Sequence, residues 1–185
     1  MAFIGLRVPS ETGRLLESVE APGVKKAASE MHVTILYLGK NLPIETVAQS
    51  MIATFNVASQ TNPFICGVKE VSSFPPNPDD GIPVIFPVLS PSLHTFRDAL
   101  KNEFTRLKVP YSDKYPDYKP HVSLSFIKDS SMTSYNAPMK GPLTWTASEV
   151  VIWGGNKNDE LVSVVIPFVL GPLERVARRM LEVRP

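Results

Sequence analysis

The chain contains one short pattern twice, first as His32-Val33-Thr34-Ile35 and later as His121-Val122-Ser123-Leu124. Both copies lie in apolar runs that are typical of β-strands, in which successive side chains point to opposite faces. The histidine of each copy therefore shares a face with the hydroxyl residue two places after it. A lone histidine in a strand is usually structural, but the chain has only 3 histidines in 185 residues. The repetition therefore indicates a shared role.

The residue types of the two patterns suit acid–base chemistry at a phosphate. Histidine has an ordinary pKa of about 6.5, so near neutral pH it can accept a proton or donate one. Hydroxyl groups can donate hydrogen bonds to the nonbridging oxygens of a phosphate. We therefore expect His32 and His121 to be the catalytic acid and base, with Thr34 and Ser123 holding the phosphate between them. This scheme needs no metal or cofactor, and it leaves open which histidine is the acid.

The surroundings of both patterns resemble the 2H phosphoesterase superfamily, which includes the bacterial RNA 2',3'-cyclic phosphodiesterases, also called 2'-5' RNA ligases. The first pattern continues to Leu38 and Gly39 in the form His-x-Thr-x-x-x-Leu-Gly, and the second begins with Pro120 before its histidine. The opening stretch Phe3-Ile4-Gly5-Leu6-Arg7-Val8-Pro9 resembles the first strand of the family. The likeness covers about residues 1–170.

This resemblance implies an α+β, bilobal fold, in which two antiparallel-sheet lobes with outer helices surround a central cleft. It also implies a phosphodiesterase that acts on a nucleotide, a short oligonucleotide or an RNA end. The family substrates include 2',3'-cyclic phosphate RNA ends, 2'-5' oligonucleotides, and the cyclic oligonucleotide signals of antiviral defence that phage members degrade. The choice among them stays open. The alternative is a non-catalytic nucleotide- or RNA-binding protein of the same fold.

Composition predicts one compact domain, and the resemblance implies that it is bilobal and spans residues 1–170. A basic amphipathic helix or tail is expected over 171–185. With 43% hydrophobic and 20% charged residues, the chain is typical of a folded protein. A net charge of +1 disfavours electrostatic capture of a long nucleic acid and favours a short anionic ligand. The tail could dock on the domain, mediate self-association or contact the ligand, and the oligomeric state stays open.

Several other classes are disfavoured. Cys66 is the lone cysteine, so an internal disulfide is excluded and a reducing compartment is expected. No apolar run reaches the roughly 18 residues of a membrane span, and the N-terminus lacks a signal-peptide pattern. We therefore expect a cytoplasmic protein with no membrane contact, in the host cytoplasm if it is viral. Motifs for a metal site, a serine hydrolase elbow and a Gly-rich nucleotide loop are missing from the sequence.

Aromatic and basic residues near the predicted strands are candidate substrate contacts. Tyr115, Tyr118 and Lys119 precede the second pattern, Phe74 borders a proline-rich loop, and Trp153 ends a late strand. Aromatic side chains in clefts stack on nucleobases. Lys119 shares the alternation parity of the second motif histidine, so it could contact a phosphate. Ordinary packing or solvation is the alternative for each of them.

Hydrophobic periodicity predicts helices at 10–19, 43–57 and 92–107, and strands at 3–8, 31–38, 64–71, 84–89, 149–153, 161–168 and through the second pattern. The apolar face of the second helix is expected to comprise Ile44, Val47, Met51, Ile52 and Phe55. His94 lies off the apolar stripe of the third helix and in no motif, so we expect it on the surface.

Overall fold

Nine antiparallel strands and three helices make up the part of the chain that the computed structural model describes, residues 2–114, 116–129, 132–155 and 161–169. The strands are β1 (Ala2–Arg7), β2 (Val24–Lys25), β3 (His32–Gly39), β4 (Phe64–Ser73), β5 (Ile82–Pro87), β6 (His121–Ile127), β7 (Ala137–Ala147), β8 (Glu149–Gly155) and β9 (Leu161–Pro167). The helices are α1 (Ser10–Glu17), α2 (Ile44–Ala58) and α3 (Pro91–Arg106). The predicted tail over 171–185 lies outside the described residues.

The sheet runs in the order β7-β4-β5-β6-β3-β1-β8-β9, and every strand pair in it is antiparallel. The order divides into two four-stranded halves, and the strand that carries a motif is innermost in each half. Strand β3 carries the first pattern and β6 carries the second, so the two motifs lie side by side. The predicted α+β fold class, with two antiparallel halves and helices outside them, is confirmed.

The junction between the halves is narrow. Within the described chain, β3 and β6 form a single ladder pair, Val33 with Val122. Farther along the same edge of β6, the short strand β2 pairs instead, with Val24 opposite Phe126. A 3-10 helix, Ala28–Glu30, lies in the segment that connects β2 to β3. The two motif strands are therefore paired at one point only among the described residues.

Alternation along the motif strands separates the core from the cleft. Val33 and Val122 are fully buried, whereas the histidines and hydroxyl residues beside them are half-buried. The apolar stripe predicted within 92–107 comprises Leu93, Phe96, Leu100, Phe104 and Leu107. Helix α3 buries the first four in the same core, and Leu107, which follows the end of the helix, is partly buried. His94 lies on the exposed side of α3, as predicted.

The predicted apolar face of α2 was wrong at Ile44, Ile52 and Phe55, whereas Met51 is partly buried against the core as expected. Its buried residues are Ser50, Ala53, Thr54 and Ala58. In contrast, Ile44 is 74%, Ile52 is 55% and Phe55 is 59% exposed. The inner face of α2 therefore consists of small side chains, and Asn56 donates a 2.7 Å hydrogen bond to Glu103 on α3. The spacing of apolar residues shows which of them share a face of α2. The face that is buried is instead the one with the smaller side chains.

Strand β7 was not predicted. Its sequence contains Pro138, Gly141 and Pro142, which are residues that normally disfavour strands. Because β7 is the edge strand of the sheet and pairs only with β4 among the described residues, its outer edge makes no ladder hydrogen bonds. A proline on that edge removes no donor that the sheet uses.

Candidate active site

The four motif side chains lie on one face of the sheet, across the junction between its halves. Counted outward from the Val33–Val122 pair, His32 is opposite Ser123 and Thr34 is opposite His121. Each histidine therefore lies across the junction from the hydroxyl of the other motif. The valine pair points into the core, so these four side chains line the open side.

Both histidine rings are held by the same local hydrogen bond. Nδ1 of His32 lies 2.8 Å from the carbonyl oxygen of Glu30, and Nδ1 of His121 lies 2.8 Å from that of Lys119. A carbonyl oxygen can only accept, so Nδ1 carries the proton in each ring. The neutral tautomer then has its lone pair on Nε2, and the protonated ring donates from Nε2. Each ring can thus act as a base or an acid at the same atom.

Burial lowers the pKa of both histidines below their ordinary value of 6.5. For His32, the positive charge of Lys26 and the proximity of His121 lower the pKa further, while the hydrogen bond to Glu30 opposes these effects. For His121, the hydrogen bond to Lys119 opposes the effect of burial. The mutual effect of the two rings means that protonation of one disfavours protonation of the other.

Aromatic rings border each histidine, but in different ways. Phe3 stacks on His32 with ring centroids 4.9 Å apart, and Trp153 stacks on Phe3 at 4.9 Å. Trp153 also lies 5.4 Å from the His32 ring at a tilt of 42°. On the other side, Phe74 meets His121 edge-on at 4.7 Å. Of the predicted substrate contacts, Trp153 and Phe74 are therefore beside the motif histidines.

A cavity of about 470 Å³ opens next to His32. Its wall includes Phe3, Trp153, Arg7 and Lys26, together with the 3-10 helix Ala28–Glu30. A larger cavity of about 580 Å³, between α2 and α3, includes neither motif histidine in its wall. Of these two cavities, the one of about 470 Å³ is therefore the one that adjoins a motif histidine.

The other predicted contacts are arranged differently. The Tyr118 hydroxyl donates to the backbone oxygen of Thr34 at 3.0 Å, and its ring packs against His94 and Arg97 of α3. Burial raises the pKa of Tyr118, which keeps its phenol protonated as a donor. Lys119 is exposed and its Nζ pairs with Asp117 at 3.2 Å. Tyr115 lies outside the described residues.

Three neighbours of His32 were not predicted from the sequence as site residues: Phe3, Arg7 and Lys26. Phe3 and Arg7 occupy alternate positions of β1, which pairs with β3 so that Arg7 is opposite His32. The sequence shows that Phe3 and Arg7 are separated by an even number of positions in one strand. It does not show that this strand, β1, lies next to β3. Lys26 lies in the segment that connects β2 to β3. This segment has no hydrophobic periodicity from which its position could be predicted.

Three further facts concern alternative chemistry. In the described ranges, no group of three His, Cys, Asp or Glu side chains could hold a metal ion. Cys66 is buried, and burial raises the pKa of its thiol to about 11, so the thiol stays protonated at neutral pH. None of the described helices is long and apolar enough to cross a membrane.

Comparison with known proteins relates this fold to a family. The chain is similar to TT0787 of Thermus thermophilus, with a TM-score of 0.68, 19% identity, and coverage of 89% of this chain and 93% of that one. It is also similar to E. coli LigT complexed with ATP, with a TM-score of 0.63, 14% identity, and coverage of 89% and 93%. For LigT complexed with 3'-AMP the TM-score is 0.64, with 15% identity and coverage of 91% and 94%.

These structural similarities concern the fold, because the identities are low. No curated protein matches the chain by sequence. The sequence profile of the 2'-5' RNA ligase superfamily, in contrast, matches residues 11–159, which is most of the chain. Two motif strands side by side, a LigT-like fold and this profile match agree: the chain belongs to the 2'-5' RNA ligase superfamily, the 2H phosphoesterases.

Proposed function

We propose that this protein hydrolyses a nucleotide phosphodiester, with His32 and His121 as the acid–base pair. The observation that carries the proposal is the matched support of the two rings. Each donates from Nδ1 to the carbonyl oxygen two residues earlier, at 2.8 Å, and each has Nε2 left for the substrate. A purely structural role would not require the same anchoring twice on adjoining strands.

The proposed reaction is an in-line displacement at phosphorus. One neutral imidazole takes a proton from water at Nε2 as the water oxygen bonds to phosphorus. The other, protonated imidazole gives its Nε2 proton to the departing oxygen as the old P–O bond breaks. The hydroxyls of Thr34 and Ser123 donate to the nonbridging oxygens, where negative charge develops. The water oxygen stays on phosphorus as a hydroxyl group, and the departing oxygen leaves as an alcohol with the proton of the acid. The two rings have then exchanged protonation states, and proton exchange with solvent restores them.

A nucleotide is the substrate class that best fits the surroundings. Trp153, Phe3 and Phe74 offer aromatic surface beside the histidines, and such surface stacks on bases. The similar LigT structures are complexes with ATP and 3'-AMP. The phosphodiester itself could be a 2',3'-cyclic phosphate at an RNA end, a 2'-5' linkage, or a linkage in a cyclic oligonucleotide.

A hydrolysis panel resolved by chromatography tests the proposal. The panel contains an RNA end with a 2',3'-cyclic phosphate, a 2'-5' oligoadenylate, 3',3'-cyclic GMP-AMP and a cyclic trinucleotide. The proteins are the wild type, His32→Ala, His121→Ala, the double variant, and His94→Ala as the control on exposed α3 surface. We expect each single motif variant to lose about 10²- to 10⁴-fold in kcat, and His94→Ala to match the wild type.

The outcomes separate the alternatives. Cleavage by the wild type and by His94→Ala, with none by the double variant, supports the proposal and names the substrate. Tight binding of a panel member without cleavage would instead favour a non-catalytic nucleotide-binding protein. Activity that disappears with EDTA would overturn a scheme based on side chains alone.

A further inference from the structure

The two motif histidines have different neighbours on the adjacent strands of their halves of the sheet. On β1, the register partner of His32 is Arg7, whereas on β5 the register partner of His121 is Pro87. Lys26 also lies on the His32 side, where its charge is close enough to affect that ring. Arg7 and Lys26 thus both line the cavity of about 470 Å³ beside His32, whereas the basic residue near His121, Lys119, pairs with Asp117.

The charges in this cavity are unbalanced. Neither Arg7 nor Lys26 forms an ion pair with any described residue. The acidic residue in the wall is Glu30, whose Oε2 already accepts a 3.1 Å hydrogen bond from the backbone amide of Ala27. Two cations against one engaged carboxylate leave the cavity positive, and a partly enclosed site strengthens the attraction for an anion.

The cavity also has a volume and a lining that suit a nucleotide subsite. Its volume of about 470 Å³ falls within the range of about 300–1,000 Å³ that small-molecule sites occupy. One wall is the Phe3–Trp153 stack, and Ser29 contributes a hydroxyl. Aromatic surface, hydroxyl donors and two cations together match a base and a phosphate.

We infer that this cavity binds a second phosphate of the substrate, held by Arg7 and Lys26 one nucleotide away from the bond that is cut. The inference rests on the proposed function and narrows it, because the substrate must then contain at least two phosphates. A nucleoside 2',3'-cyclic phosphate would fill only the space between the histidines. A dinucleotide or longer molecule would fill both positions.

Matched substrates that differ by one phosphate-bearing unit test this inference. One pair is adenosine 2',3'-cyclic phosphate and ApA 2',3'-cyclic phosphate; the other is 2'-5' ApA with and without a 5'-phosphate. The readout is the ratio of kcat/KM within each pair, which cancels any effect on the shared chemical step. The proteins are the wild type, Arg7→Met, Lys26→Met, and Lys140→Met on the edge strand β7 as a charge-matched control.

We expect the wild type to prefer the larger member of a pair by about 100-fold, because Arg7 and Lys26 each contribute about the tenfold effect of one charge-assisted hydrogen bond. Arg7→Met and Lys26→Met should each reduce that preference about tenfold, and Lys140→Met should keep it. Arg7→Lys and Lys26→Arg retain the charge and should restore most of it, which separates charge from misfolding. An equal rate for both members in the wild type would overturn the inference, as would a preference that survives both Met variants.

Failure of the proposed function is recognised separately. If the wild type cleaves neither pair, equilibrium binding of 2'-5' ApA with and without its 5'-phosphate, followed by tryptophan fluorescence, still tests the cavity. Tighter binding of the phosphorylated form that requires Arg7 and Lys26 would support the second phosphate site in a non-catalytic protein. Equal affinities would overturn it.

Discussion

The hydroxyl groups of the two motifs are available to donate hydrogen bonds. Thr34 and Ser123 are half-buried, and each lies across the junction from the histidine of the other motif. Neither hydroxyl has a hydrogen-bond partner among the described residues that competes for its proton. Both can therefore be donors to an anion that enters between the imidazoles.

Removing one of these hydroxyls is expected to cost less than removing a histidine. Thr34→Ala or Ser123→Ala should lower kcat about 10- to 100-fold, the effect of one hydrogen bond to a charged group. Steady-state kinetics on the substrate identified by the panel provides the measurement. Thr34→Ser keeps the hydroxyl and should stay near the wild type, so an equal loss in Thr34→Ser and Thr34→Ala would argue against the donor role.

The pH dependence follows from the direction of the histidine pKa values. In the proposed scheme kcat/KM rises as the base loses its proton and falls as the acid loses its own. Burial lowers the pKa of both rings in the free enzyme below 6.5, so kcat/KM should peak on the acidic side of 6.5 and decline by neutral pH. A profile that still rises above neutrality would contradict this prediction.

The same profile can assign the roles. Because the charge of Lys26 lowers the pKa of His32, Lys26→Met should move the limb that depends on His32 to higher pH. A moved alkaline limb would identify His32 as the acid, and a moved acidic limb would identify it as the base. The limbs belong to the coupled pair, so the assignment comes from the shift and not from either apparent pKa alone.

At the scale of elements, β3 and β6 are the parts that the sequence describes best. Alternation within the two motifs correctly indicates which residues share a face, because each motif strand buries its other face. Alternation cannot reveal that β1 lies next to β3, and so it misses Phe3 and Arg7 as neighbours of His32. The apolar pattern of α2 failed for the related reason that packing partners, not periodicity, choose the buried face.

Strand β1 also depends on the absence of a side chain at Gly5. A Cβ there would lie 2.5 Å from the backbone oxygen of Val33 and 3.0 Å from the ring of Trp153. Gly5 is the register partner of Thr34 and adjoins the junction strand, so a displacement would reach the candidate site. The glycine lets β1 and the Trp153 ring lie close to β3.

We expect Gly5→Ala to lower the free energy of unfolding by about 1–3 kcal/mol, the usual effect of overpacking, and to reduce activity. Denaturant unfolding followed by the fluorescence of the two tryptophans, Trp145 and Trp153, measures the first effect. Gly141→Ala on β7 is the matched control, because no heavy atom lies within 4 Å of the added Cβ. If the two variants were equally stable, the close approach at Gly5 would not constrain the strand.

At the scale of the whole molecule, the candidate site exists only where the two halves meet. His32 and Thr34 belong to one half, His121 and Ser123 to the other, and a single ladder pair joins the two motif strands in the described chain. A phosphate held by both histidines would therefore bridge the halves. Binding and the stability of the junction should be linked.

This linkage gives a prediction that needs no catalysis. At a concentration of about 100 times its Kd, adenosine 3'-monophosphate should stabilise the folded protein by about 2.7 kcal/mol, which raises Tm by about 5–10 °C for a chain of this size. Hydrogen exchange should slow most at the amides near Val33 and Val122, and less at Val68 in β4, farther from the junction. His94→Ala should respond as the wild type does, while the His32→Ala/His121→Ala variant should lose most of the shift. Since the ligand acts by joining the halves, a Tm increase of equal size in that double variant would place the nucleotide away from the junction.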